Sequence, residues 1–395
     1  MQGYIYPNEF ELQWGLLIVL YPYITGLVAG AFILASLERV FNVKEVQPTY
    51  RLALLTALAF LIVAPLPLLL HLGHPERSYE IFLTPNRQSA MAMFGFVYAW
   101  YLMVVLLLEV WFDYRRDIVL WARSETGWKR WLYYALTLGA TDLSDRSLRF
   151  DDSAGRWITI IGIPSAFLLH GYVGFIFGSI KANPWWSSVL MPVVFLFSAM
   201  VSGIALVLVL YVVTTLFRRR LLDMACLDKL AQFLFYALVV DASLEALDFI
   251  HRLYEAEESI DILSQMIESR LFLSLIILQV LVGTVIPLVA LALTSPGLRK
   301  GGFVRASARV RQYVYVVAAV LIQIGIVSIR WNVVIGGQLF SKSLRGLTVY
   351  KVEFLGIEGL ALSLGLLILP FVILWALVKI LPPWTETAPR TESRA

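Results

Sequence analysis

The sequence holds a single cysteine, Cys226, so it can close no disulfide within the chain and build no cysteine-ligated zinc site or iron–sulfur cluster. Charge is scarce as well. Only 15% of the 395 residues are Asp, Glu, Lys or Arg, against roughly a quarter in a soluble domain, which excludes an ordinary water-soluble fold. No glycine-rich phosphate loop, HExxH pair or nucleophile elbow occurs, so hydrolysis of a soluble substrate is excluded too. Residues 1–13 contain no Lys or Arg and the first apolar run is long enough to span, so no cleavable signal peptide is expected. Histidine is limited to His71, His74, His170 and His251.

What fills the chain instead is apolar: 59% hydrophobic residues and a mean hydropathy of +0.76. A membrane-crossing helix needs about 20 such residues in a row. Runs of that kind fall near 13–37, 52–73, 91–112, 156–180, 187–217, 230–250, 270–293, 313–338 and 354–381. The fold class is therefore an all-α polytopic membrane protein with about nine transmembrane helices, or ten at the upper count. Residues 117–150 are too polar to span, and their Trp-Leu-Tyr-Tyr stretch suits the interface.

Basic residues set the expected orientation. Connections after the odd-numbered spans are rich in them, as in Arg39, Lys44 and Arg51, then Arg115 to Arg149, Arg218 to Lys229, and Arg299 to Arg311. Those after the second, fourth and sixth spans carry Arg77 and Arg87, Lys181, and Arg252 and Arg270. This places the N-terminus outside, the C-terminus in the cytoplasm, and the chain in the cytoplasmic membrane. The net charge of +4 thus reports topology, and no nucleic-acid partner is expected.

Ionisable residues in hydrocarbon are costly, so their depth is informative. In the sixth span Asp241, Glu245 and Asp248 follow an i, i+4, i+7 spacing that stacks them on one helical face, with His251 continuing the row. Three carboxylates there need a cation, a proton or water. The second span ends in HLGHPER, with His71, His74, Glu76 and Arg77. His170 and Tyr172 lie inside the fourth span, Tyr21 in the first, Arg330 and Asn332 in the eighth, and Glu358 opens the ninth. All of these fall in the outer half; the inner half offers chiefly Glu109. Plainer readings accompany them: loop anchors for His71 and His74, solvated ends for Glu76, Asp248 and His251, an interfacial aromatic for Tyr21, and a counter-ion role for Arg330.

Three functional classes suit a polar pocket of this kind. A quinol site needs an apolar cleft, hydrogen-bonding groups for two oxygens and an acid–base group with a wet path; His170, Tyr172 and Asp241 are candidates. A haem protein needs paired axial histidines, and only His170, with His71 as partner, approaches that. A transporter-like subunit moving ions or protons needs repeated broken helices, and the proline-interrupted runs show no register between halves.

Several strings carry a family likeness. HLGHPERSYEIFLTPNRQSAMAMFGF, HGYVGFIFGSIKANPWWSSVLMPVVFLFSAMVSG and RWNVVIGGQ followed by FLGIEG together resemble the NrfD/PsrC family of integral membrane subunits. The opening ELQWGLLIVLYPYITGLVAGAF and the chain length look most like its DsrP branch, found in the DsrMKJOP complexes associated with sulfate reduction. The resemblance implies a subunit with no haem, iron–sulfur cluster or metal of its own. It would exchange electrons between menaquinone (menaquinol) and an extracytoplasmic four-cluster ferredoxin-like iron–sulfur protein. A multihaem cytochrome c and further membrane and cytoplasmic redox subunits are the wider partners it implies.

By position, Tyr172 matches a quinone-contacting tyrosine of the polysulfide reductase member, counting back from Pro184. Tyr21 falls where that member has a histidine, and Ile18 replaces its asparagine; His170 would supply the imidazole. Quinone-binding candidates are then His170, Tyr172, Tyr21 and His71. Asp241, Glu245 and Asp248 would relay protons, while His74, Glu76, Arg77, Arg87, Arg330 and Glu358 would pair carboxylates or dock the partner. The family also implies two four-helix bundles. They would occupy 52–217, with a cytoplasmic insertion at 113–155, and 218–381, beside a peripheral first helix within 1–51 and a tail at 382–395.

Overall fold

The structure is a computed structural model that describes residues 12–384, apart from Arg87 and residues 256–259, 295–306 and 341–345. In lipid each backbone N–H and C=O must find a partner within its own segment, so the apolar runs close as helices. They are α1 (Leu16–Arg39), α2 (Lys44–His71), α3 (Gly95–Ser124), α4 (Gly127–Leu136), α5 (Asp145–Gly178), α6 (Met191–Phe217), α7 (Met224–Glu255), α8 (Ile260–Thr294), α9 (Ala308–Gln338) and α10 (Leu360–Ile380). Among the described residues, eight of these are long and apolar enough to cross a membrane. The acid-bearing α7, the sixth expected span, has 32 residues, or about 48 Å at 1.5 Å per residue. The chain is an all-α polytopic membrane protein.

Local chemistry sets several boundaries. Ser144 caps α5 by accepting the Ser147 N–H at 3.3 Å, and Ser307 caps α9 by accepting that of Val310 at 3.4 Å. Pro65 and Pro67 break α2 into Gln47–Val63 and Leu66–His71. In α8, wide-turn i→i+5 bonding runs over Ile267–Val285, and its buried residues Leu271, Leu275, Gln279 and Gly283 recur every four positions. That row faces α9, where Gly283 meets Gly325 and Gln279 accepts from Asn332 at 2.7 Å.

The first helix corrects an expectation. Expected at the periphery, it is instead buried within the protein over 83% of its apolar stretch, against 22% for α10. Small side chains explain why. Gly30 of α1 lies against Ala199 and Gly203 of α6, so closely that a Cβ there would meet backbone. Around α1 stand α2, α5, α6 and α9. The last helix, α10, makes its main contacts with α2 and α1, at the opposite end of the chain.

The polar 113–155 segment is mostly helical continuation. α3 runs on to Ser124 and α5 begins at Asp145, with α4 between them. Arg115, 2% exposed, binds this region together through Asp151 at 2.6 Å, Ser147 Oγ at 2.8 Å and the carbonyls of Ala140 and Asp142 at 3.1 and 2.7 Å. Tyr133 of α4 donates to the Ile380 carbonyl at 2.8 Å, while Trp128, Trp131 and Tyr134 point away from the protein, as an interfacial helix requires.

Candidate functional site

A line of buried polar side chains crosses the bundle from α1 to α8. Thr25 of α1 donates its hydroxyl proton to the Tyr21 carbonyl at 3.0 Å, so its oxygen is left to accept from His170 Nδ1 at 3.3 Å. That assignment leaves Nε2 of His170 as the acceptor. It receives Nη2 of Arg330, which can only donate, at 3.2 Å. The partners on the two sides therefore agree on one neutral tautomer. Arg330 Nη2 also donates to Ser198 Oγ at 2.6 Å, and the guanidinium lies 4.2 Å from the Phe195 ring centre, over its face.

Arg330 and His170 are wholly buried. A buried cation needs a counter-charge, and Asp241 and Glu245 of α7 lie within Coulombic range of it. The match is incomplete in hydrogen-bonding terms. Nε and Nη1 of Arg330, Oδ1 of Asp241 and Oε1 of Glu245 are all buried and find no hydrogen-bond partner among the described residues. The other oxygen of Glu245 accepts from Gln279 at 3.1 Å, Gln279 accepts from Asn332 at 2.7 Å, and Asn332 accepts from Ser274 at 2.6 Å. A cavity of about 70 Å³ beside Glu245, Gln279 and Asn332 opens next to this chain. It has room for water, not for a bicyclic quinone ring.

The acidic row on α7 therefore divides. Asp241 and Glu245 turn to Arg330, whereas Asp248 is closed by Ser188 and by an ion pair with Arg252, whose Nε stands at 2.8 Å. His251, next on the row, is half-buried.

A second group lies at the Tyr21 end of the line. Tyr98 of α3 and Tyr172 of α5 are within Coulombic range of Tyr21, so three helices bring three phenols together. Tyr98 donates to the Leu61 carbonyl at 2.5 Å. Tyr172 is half-buried, and the surrounding faces of α3 and α5 present Phe96, Trp100, Leu168 and Phe175 outward. These side chains form a lipid-facing apolar wall.

At the α2 end His71 Nδ1 stands 2.6 Å from Glu358 Oε1. A Cβ on Gly15, at the start of α1, would meet Glu358 and the Tyr350 hydroxyl, so this pair sits over the start of α1. His74 contacts Glu76 at 3.0 Å, and Arg77 grips Glu80 with two bonds of 2.9 and 3.0 Å. These residues are exposed, and Arg77 holds the Glu80 carboxyl below its usual range. Arg87 lies outside the described residues.

The structure brings the sequence candidates His170, Arg330, Asp241 and Glu245 together, and beside them stand Thr25, Ser198, Tyr98 and Gln279, which sequence reasoning did not single out. Only Gln279, a lone amide in SLIILQVLVG, carried a signal; Thr and Ser can satisfy themselves on their own helix and are common in spans. The reading that the far half of the bundle holds chiefly Glu109 is also corrected. Arg39 and Arg51 bind Asp113 at 3.4 and 2.7 Å, Arg51 binds Asp117 at 2.7 Å, and Arg39 reaches Asp152 at 3.4 Å. Helical continuation of α3 and α5 past the apolar runs brings these charges against the ends of α1 and α2.

The chain is similar in sequence to several known proteins. Over 204 residues the chain is 38% identical to a subunit of the selenate reductase of Mesobacillus selenatarsenatis, covering 50% of this chain and 48% of that one. It is 30% identical over 229 residues to a putative dimethyl sulfoxide reductase membrane subunit of Halobacterium salinarum, covering 56% and 48%. It is 24% identical over 223 residues to an Hdr-like menaquinol oxidoreductase integral membrane subunit of Archaeoglobus fulgidus, covering 56% and 47%. The matched stretch thus spans about half the length of these curated relatives. The polysulphide reductase, NrfD family matches residues 7–342. With a helical membrane bundle, a buried polar line and a match over most of its length, the chain belongs to the NrfD family.

Proposed function

We propose that this chain is the quinone-reactive membrane anchor of a respiratory redox complex, exchanging electrons between menaquinol and an extracytoplasmic iron–sulfur subunit. The observation that supports it is the buried polar line that runs from the Tyr21 backbone carbonyl through Thr25, His170 and Arg330, with Asp241 and Glu245 within Coulombic range of Arg330. Oxidation of a quinol yields two electrons and two protons. Phenols at a lipid-facing wall suit the ring oxygens and the isoprenoid tail, and the buried acids beside Arg330 suit the protons.

In this reading Tyr172 and Tyr21 contact the ring, with Tyr98 beside them. His170 acts as a positioning residue, because both of its nitrogens are engaged within the protein. Asp241 and Glu245 exchange protons; Asp248 and Arg252 hold the rim. His71 and Glu358 stiffen the start of α1, and Arg77 and Glu76, at the surface, suit the docking of the partner. The basic connections gather at the Arg39 end of the bundle, which supports a cytoplasmic position for that end and places the His71 end outside. The opening string supports the DsrP branch. The names of the relatives divide among selenate, dimethyl sulfoxide and menaquinol, so no terminal acceptor is part of the proposal.

Photolabelling with an azido-quinone, on the complex isolated from native membranes, tests the site. Label on peptides of α1, α3 and α5, suppressed by excess menaquinone analogue, is the expected outcome. Label confined to α7–α9, or substrate flux through the chain in liposomes with no redox partner, would overturn it.

A further inference from the structure

A second cavity, of about 430 Å³, opens at the Arg39 end, where α1, α2, α6 and the segment after α10 meet. Its charged groups are Arg51, Arg218 and Arg220 against Glu38 and Asp113. Arg51 and Asp113 are already closed into the ionic cluster with Arg39 and Asp117. The cations left at the mouth are Arg218 and Arg220, on the turn that follows α6.

Partial burial, and then the neighbouring Arg220, draw Arg218 below its ordinary value, so two guanidinium groups crowd one opening. Arg218 is fixed in place by Trp384, its guanidinium 3.9 Å from the ring centre. The same turn carries bare apolar side chains. Leu221, on the cavity wall, is 99% exposed, and Phe217, the last residue of α6, is 85% exposed. Crowded cations invite an anion; exposed hydrocarbon beside an interfacial tryptophan invites acyl chains. A soluble anion answers the first feature alone.

We propose that this cavity binds the head group of an anionic glycerophospholipid, its phosphodiester held by Arg218 and Arg220 and its acyl chains lying along Leu216 and Phe217. The Arg218–Trp384 stack sets the guanidinium for two parallel bonds to phosphate oxygens. Tyr211 on the cavity wall can turn its hydroxyl to the glycerol part of the head group. The site stands on its own, independent of the quinone reading, and would tie the turn after α6 to the segment after α10.

Delipidated full-length protein in detergent provides the test, read by native mass spectrometry and by the thermal unfolding midpoint. The probes are phosphatidylglycerol, phosphatidylcholine of the same acyl chains, and inorganic phosphate. Phosphatidylglycerol should form a retained adduct and raise the midpoint, and phosphatidylcholine should do neither. Arg218→Gln with Arg220→Gln should weaken the apparent affinity for phosphatidylglycerol about thirtyfold, from two lost surface cations. Arg219→Gln, on the same turn and off the cavity wall, should leave it unchanged; the single Arg220→Gln, which keeps the Trp384 stack, guards against misfolding of the double variant. Equal effects of the two lipids, an unaltered affinity in the double variant, or the same stabilisation by inorganic phosphate would each overturn the lipid site.

Discussion

Nη2 of Arg330 stands 3.2 Å from Nε2 of His170, and neither side chain reaches solvent. The contact joins α5 to α9 at the middle of the bundle. It also fixes a chemical state, since an arginine nitrogen offers only a proton and the imidazole must present a lone pair to it. His170 is thereby a neutral bridge between Thr25 and a cation.

His170→Ala removes the acceptor for Arg330 and the donor for Thr25 at once. Leaving buried polar groups unpaired costs about 1–3 kcal/mol, so the thermal unfolding midpoint of the purified protein should fall, along with quinol-linked turnover. His170→Gln, whose amide can both accept and donate, should recover much of the midpoint. An Ala variant as stable as the parent would show that the Arg330 contact contributes nothing.

Asp241 is one of two carboxylates that balance Arg330. If it also exchanges protons, Asp241→Asn should lower quinol-linked turnover at least about a hundredfold, the scale of a lost acid–base group. Native gels should still show the assembled complex. Turnover close to the parent value, with the complex intact, would reduce Asp241 to a counter-ion. Glu245→Gln keeps an acceptor for Gln279 and should be the milder change.

The residues that sequence exposed best were those whose cost in lipid is highest. Asp241, Glu245, His170 and Arg330 stand out in apolar runs because each demands shelter, and the bundle brings all four together. The spans were legible for the same reason. Helix neighbours were not: the central place of α1 depends on Gly30 meeting Gly203 across 173 positions of chain. The cluster of Arg39, Arg51, Asp113 and Asp117 was hidden because each charge, read singly, suits a solvated loop end. The spacing of Asp248 resembled that of Asp241, yet Arg252 one turn on claims it.

At the phenol group, Tyr172→Phe and Tyr21→Phe each delete one hydroxyl and keep the ring. A single hydrogen bond contributes about 0.5–1.5 kcal/mol, so each variant should weaken binding of a quinone analogue roughly two- to tenfold. Tyr98→Phe instead breaks the bond to the Leu61 carbonyl and should mainly lower stability. Titration of analogue binding against the unfolding midpoint separates the two effects. Unaltered affinity in both the Tyr172 and Tyr21 variants would remove the quinone from this wall.

Helix spacing gives the last expectation, and it can be checked on the chain alone. Gly283 of α8 and Gly325 of α9 face each other so closely that a Cβ on either would strike the other's backbone, which has no side chain to turn aside. Lipid supplies little hydrophobic drive for helix association, so this contact stands on close packing. Gly283→Ala or Gly325→Ala should push the helices apart and cost about 1–3 kcal/mol, as overpacking does. The same separation would pull Gln279 away from Asn332, now 2.7 Å apart, so the polar chain to Glu245 should loosen with it. Gly365→Ala in α10 is the control, since nothing stands within 4 Å of a Cβ there. It should leave the unfolding midpoint unchanged or raise it, because alanine is the better helix former. Equal midpoints for the three variants would mean that the α8–α9 approach does not carry stability.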